Sequence, residues 1–195
     1  MTDPAARRRA AAIAGHVGDV ATAQALAVDD DASVRATAVA ALARLGALDA
    51  ITLTAALRDA DPAVRRRAVE LGAARPDVDL IALLDDRDDS VVETAAWACG
   101  ERGPAGAEVV ERLATLAGSH RDALVREAAV AALGALGDEA GLPAILTATQ
   151  DKPAVRRRAV LALAPFQGPA VDAALQRALS DHDWQVRQAA EDLLS

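Results

Sequence analysis

The sequence predicts an all-α fold, and three observations carry that prediction. Alanine supplies 52 of the 195 residues, while aromatic residues make up only 2 %: Trp97, Trp184 and Phe166, with no tyrosine. A pleated sheet face is filled by β-branched and aromatic side chains, so this composition argues against a β-sandwich or barrel. Alanine is the strongest helix former and lets helices approach closely. The third observation is a motif, Asp-x-x-Val-Arg, that returns about every 30 residues. A period of that size belongs to stacked helical repeats.

The motif is complete in Asp31-Ala-Ser-Val-Arg35, Asp61-Pro-Ala-Val-Arg65, Asp122-Ala-Leu-Val-Arg126 and Asp183-Trp-Gln-Val-Arg187. Looser copies are Asp3-Pro-Ala-Ala-Arg7, Asp88-Asp-Ser-Val-Val92 and Lys152-Pro-Ala-Val-Arg156. With residues 7, 35, 65, 92, 126, 156 and 187 as anchors, the spacings are 28, 30, 27, 34, 30 and 31. Three residues past each anchor stand Ala10, Ala38, Ala68, Ala95, Ala129, Ala159 and Ala190. One residue before it stand Ala6, Val34, Val64, Val91, Val125, Val155 and Val186. Residues four apart share one helical face, so each copy has an apolar face at the same register.

Each copy reads as a pair of helices, the anchor lying in the second. The second helices are expected at 4–16, 32–45, 62–74, 89–102, 122–136, 153–165 and 184–194. They open on Asp3, Asp31, Asp61, Asp88, Asp122 or Asp183, whose side-chain oxygen can accept from first-turn amides and whose charge suits the helix dipole. Pro4, Pro62 and Pro153 come next, where a missing amide costs nothing. Gly18, Gly46, Gly103 and Gly137, eleven past their anchors, mark where four of these helices stop. Shorter first helices are expected at 19–28, 48–58, 77–85, 105–118, 139–149 and 169–180. The 34-residue spacing places an extra turn in 105–118. The connections are short enough that paired helices run antiparallel.

This pattern resembles HEAT repeats, most closely the short variety named after phycobilisome lyases. The likeness rests on Asp59-Ala-Asp61-Pro-Ala-Val-Arg65-Arg-Arg-Ala68 and on Val125-Arg126-Glu-Ala-Ala129-Val-Ala-Ala-Leu133-Gly-Ala-Leu-Gly137-Asp138, and extends over the whole chain. It implies a right-handed α-solenoid of about six and a half helix pairs, one repeat domain over 1–195. It also implies a ladder between neighbouring repeats. The matching arginines are Arg7, Arg35, Arg65, Arg126, Arg156 and Arg187, and the matching aspartates Asp29, Asp59, Asp86 and Asp181. His120 and Gln150 replace the aspartate in two repeats and Val92 replaces an arginine, so a break is expected at the fourth repeat. Glu191 stands where other copies have alanine or valine, as suits a solvated terminal helix.

In HEAT-like folds the second helices line the concave side, and the residues one and five past the anchor are expected to face out from it. Trp97 falls near the middle of that surface, between Glu93 and Glu101 at helical spacing. A central indole is a typical binding anchor. Arg66, Glu70, Glu127 and Arg157 surround it with mixed charge, better suited to a protein than to a polyanion. These seven residues are the expected partner-binding site. Trp184, where other copies have proline, is expected to cap the last helix and cover the C-terminal edge. In each of the arginine triplets 7–9, 65–67 and 156–158, one arginine belongs to the ladder and two to a solvated face.

No apolar run approaches the ~18–20 residues of a membrane span, and the basic start leads into a stretch broken by His16, Gly18 and Asp19, unlike a signal peptide. A lone Cys99 makes neither an internal disulfide nor a cysteine metal cage, and a cytoplasmic location is expected. The net charge of −8 disfavours nucleic acid. His16, His120 and His182 occur singly, with no His-Glu dipeptide of the kind that metal-dependent HEAT hydroxylases carry, and no phosphate-binding glycine loop occurs. The expectation is a non-catalytic protein-binding scaffold without cofactor or metal. Two alternatives stay open: a DNA-binding protein similar to the HEAT-like alkylation-repair glycosylases, and an accessory protein of the lyase type.

Overall fold

The computed structural model describes residues 3–195; Met1 and Thr2, at the head of the basic start, lie outside them. Every regular element among the described residues is helical. The α-helices are α1 (Pro4–Val17), α2 (Val20–Leu26), α3 (Ala32–Arg44), α4 (Ala50–Leu57), α5 (Pro62–Gly72), α6 (Asp89–Glu101), α7 (Ala107–Ser119), α8 (Ala123–Leu136), α9 (Leu142–Ala148), α10 (Pro153–Ala162), α11 (Pro169–Ala178) and α12 (Trp184–Leu194). Two 3-10 turns, Ile81–Asp85 and Glu139–Gly141, complete the chain. The residues form two compact units, Met1–Leu83 and Leu84–Ser195.

The caps are the predicted ones. The carboxylates of Asp3, Asp31, Asp61, Asp88, Asp122 and Asp183 each accept a first-turn amide of the helix they open, at 2.8–3.3 Å. Gly18 and Gly137 end α1 and α8 at φ 86° and 64°, a left-handed conformation that a side chain would strain. Two first helices depart from expectation. The segment 77–85 holds only the 3-10 turn Ile81–Asp85, because the 27-residue spacing leaves nearly one helical turn too little chain; Val78, Leu80 and Leu84 still bury their side chains. The segment 139–149 starts as a 3-10 turn and becomes α9 only at Leu142, next to Pro143, which has no amide to donate. The extra turn lies in α7, as expected: 13 residues against 7 in α2 and α9.

In the first unit α3 packs between α1 and α5, with α2 and α4 against them; in the second, α6, α8, α10 and α12 pack in series, flanked by α7, α9 and α11. The alanines three past the anchor are completely buried from Ala38 to Ala190, as are the valines before them. Ala6 and Ala10 on α1 are exposed, since no helix precedes α1 among the described residues to cover that face. Second helices approach most closely through small residues. A Cβ on Gly15 would sit 2.9 Å from Ala41 Cβ, one on Gly100 2.9 Å from Ala132 Cα, and one on Gly134 2.6 Å from Ala162 Cβ. Each pairs position eight of one repeat with position six of the next.

The ladder is built from two-pronged ion pairs. Arg7 Nε and Nη2 donate to Asp29 at 2.7 and 2.9 Å, Arg35 to Asp59 at 2.8 and 2.7 Å, Arg126 to Asp151 at 2.6 and 2.8 Å, and Arg156 to Asp181 at 2.9 and 2.7 Å. In Arg35, Arg126 and Arg156 the remaining nitrogen, Nη1, donates to a carbonyl of the turn before its own helix, as Arg35 does to Asp29 and Arg126 to His120, both at 2.7 Å. Each such guanidinium therefore clips its own turn and reaches the next repeat. Asp151 supplies the carboxylate expected to be missing at Gln150, one residue along. The break expected at the fourth repeat is bridged as well: Val92 is buried, and Arg121 Nη2 donates to both oxygens of Asp89 at 3.1 Å. His120 takes the aspartate's place in the turn, its Nδ1 accepting from the Asp122 amide at 3.2 Å.

Candidate functional site

The seven expected site residues divide between the two units. In the first, Arg66 and Arg67 on α5 both donate to Glu70, at 3.2 and 2.5 Å, one turn along the same helix. This cluster is satisfied within itself. The same unit holds a groove of about 470 Å³ that no sequence motif announces. Its lining includes Gln24, Val28, Ile51 and Thr52, with the Arg35–Asp59 rung among its residues. Val28 and Ile51 are strongly exposed. Their signal in the sequence is an aliphatic residue within two positions of an aspartate, which alone does not separate rim from core.

The second unit carries the rest. The indole of Trp97 is 45 % exposed on α6, where Val91, Ala95, Ala98 and Cys99 are buried. Glu93 stands one turn before it and Glu101 one turn after. Neither carboxylate has a hydrogen bond or ion pair among the described residues. The next repeat shows which group is missing. Glu127 on α8 receives Arg158 Nε and Nη2 from α10, both at 3.4 Å. The position in α8 equivalent to Arg158 is Ala128, so Glu93 has no such donor. Ala131 comes one turn later, and Ala135 lies 3.6 Å from where a Gly100 Cβ would be. At the register of Glu93, Trp97 and Glu101, the neighbouring helix α8 carries alanines at 128, 131 and 135. Arg157 is exposed on α10.

Charge is unequal between the units: 18 acidic against 11 basic side chains in the second, 11 against 10 in the first. The ladder carboxyls of Asp29, Asp151 and Asp181 are held below the usual carboxylate range, first by the hydrogen bonds from Arg7, Arg126 and Arg156. Trp184 does not cap the last helix. It occupies the first position of α12 and is 64 % exposed, while Asp183 provides the cap. Glu191 is exposed, and Cys99 is a buried thiol. Among the described residues no group of three or more His, Cys, Asp or Glu could hold a metal ion, and no helix is long and apolar enough to cross a membrane.

The profile of HEAT repeats matches residues 77–153 and 119–195. No curated protein matches the sequence. Solved structures share the fold at low identity. The YibA protein of E. coli superposes with a TM-score of 0.72 at 19 % identity, over 93 % of this chain and 69 % of that one. Human deoxyhypusine hydroxylase, solved with glycerol, gives 0.51 at 22 %, over 96 % and 77 %. A designed armadillo repeat protein in complex with the peptide (KR)4 gives 0.53 at 19 %, over 96 % and 90 %. The second of these corrects the expectation that the chain is not an enzyme. A hydroxylase is built on the same architecture, so the fold gives no ground for setting this chain apart from enzymes.

Proposed function

The chain belongs to the HEAT repeat family, and from that premise we propose that it is a protein-binding scaffold, its second unit holding a segment of a partner against α6, α8 and α10 around Trp97. The observation that carries this reading is the half-exposed indole of Trp97 on a helix whose other apolar side chains are buried. Exposed aromatic side chains in a well-packed frame are enriched among residues that dominate binding. Glu93, Glu101, Glu127 and Arg157 supply the polar surround. Arg66 and Glu70 offer a separate mixed-charge contact on the first unit. That a designed armadillo protein of the same fold holds an extended peptide lends support. A cytoplasmic setting fits the single, buried Cys99.

The test is a diverse peptide array probed with wild-type protein and with Trp97→Ala. Peptides that bind wild type and lose at least tenfold in affinity on the variant support the face. Equal binding of every retained peptide by both proteins rejects it.

A further inference from the structure

We propose that the partner side chain received at Trp97 is a lysine or arginine, an inference that rests on the docking face just described and names its chemistry. Several features point to a cation. Glu93 and Glu101 bracket the indole on one face of α6 without a basic partner among the described residues, whereas Glu127, the equivalent of Glu93 in the next repeat, has Arg158. Ala128 stands at the position in α8 that Arg158 fills in α10, so no guanidinium from that position competes for Glu93. Glu101 is the last residue of α6, at the negative end of the helix dipole, where a carboxylate is unfavourable and a cation favourable. A guanidinium or ammonium over the indole face gains the attraction of the ring quadrupole. Its charged head falls between two carboxylates, and its aliphatic stem lies along Ala128 and Ala131. The acid excess of this unit adds attraction at longer range.

The experiment titrates a peptide of alternating lysine and arginine into the 195-residue chain carrying Trp184→Phe, so that Trp97 is the one indole reporting. The expected result is a saturable change in Trp97 fluorescence and an affinity that falls steeply as sodium chloride is raised. Glu93→Gln with Glu101→Gln should weaken binding at least tenfold with an unchanged circular dichroism spectrum. Should the double variant not fold, the salt titration of the parent decides: affinity independent of salt overturns the inference. Unchanged affinity in the folded double variant overturns it too. If a neutral or acidic peptide from the array saturates Trp97 while the basic one does not, the docking face stands and the basic partner is wrong. If no peptide of any charge depends on Trp97, both fail.

Discussion

Arg121 donates to the carboxylate of Asp89 in the preceding repeat at 3.1–3.3 Å, so the charges of this rung run opposite to those of Arg7–Asp29, Arg35–Asp59, Arg126–Asp151 and Arg156–Asp181. The inverted pair is also far more exposed. Arg121 keeps 80 % of its side-chain surface in solvent, against 12 % for Arg126. An exposed ion pair contributes ~0–1 kcal/mol, whereas charge-assisted hydrogen bonds shielded from water contribute about 1.5–3 kcal/mol. Urea denaturation should therefore rank the two arginines. Arg126→Ala is expected to cost about 2 kcal/mol or more and Arg121→Ala only a small fraction of that. Equal losses would show that the inverted rung has taken over the ladder's role.

Acid should dissolve the ladder in a definite window. The carboxyls of Asp29, Asp151 and Asp181 lie lower in the folded chain than in the unfolded one, where aspartate titrates near ~3.9. The unfolded chain therefore takes up protons first as pH falls. The stabilisation is complete well above about pH 4 and is lost as pH drops through the unfolded and then the folded values. Asp151→Asn removes one of these titrations. Its melting temperature should be lower than wild type at neutral pH, and the gap should narrow below about pH 4. Parallel curves down to the acid limit would mean that the rung carries no proton linkage.

At Gly134 two effects of opposite sign compete. Gly→Ala inside a helix is favoured by about 1 kcal/mol from propensity. Here the new Cβ would lie 2.7 Å from Ala162 Cα and 3.1 Å from Ala162 O, backbone atoms that cannot step aside alone. Overpacking of this kind costs ~1–3 kcal/mol, so Gly134→Ala should destabilise. Gly118→Ala on α7, with nothing within 4 Å, should stabilise. Adding Ala162→Gly to Gly134→Ala exchanges the two sides of the seam and should recover part of the loss. A stabilised Gly134→Ala would show that α8 and α10 can move apart freely.

Most of this architecture is legible in the sequence because its determinants are local and repeated. A capping aspartate, a proline at the first helical position and a glycine at a positive φ each act within a few residues, and the period shows where to look. The features that escape reading depend on neighbours in space. Asp151 replaces the expected carboxylate from one position along, which only the facing Arg126 makes visible. Asp89 and Arg121 share no motif position, so their pairing has no periodic signal. Trp184 and Trp97 are the same residue type at motif-related sites, yet the start of α12 and the middle of α6 set their surroundings differently. The close glycine seam does have a periodic signal, since Gly15, Gly100 and Gly134 all stand eight past an anchor.

Trp97→Ala should leave the fold nearly intact, and the reason lies in which face of α6 does the packing. Val91, Ala95, Ala98 and Gly100 are buried, whereas the indole keeps nearly half its surface in water. Truncation forfeits only the covered part of the ring, on the order of 1–2 kcal/mol at ~25 cal/mol per Å². Leu133→Ala on α8, where the side chain is fully buried, should cost ~2–5 kcal/mol with its cavity. Thermal denaturation of the two variants side by side checks the order. If Trp97→Ala is the more damaging, the indole is a packing element of α6, and lost binding in that variant reflects a loosened helix rather than a missing contact.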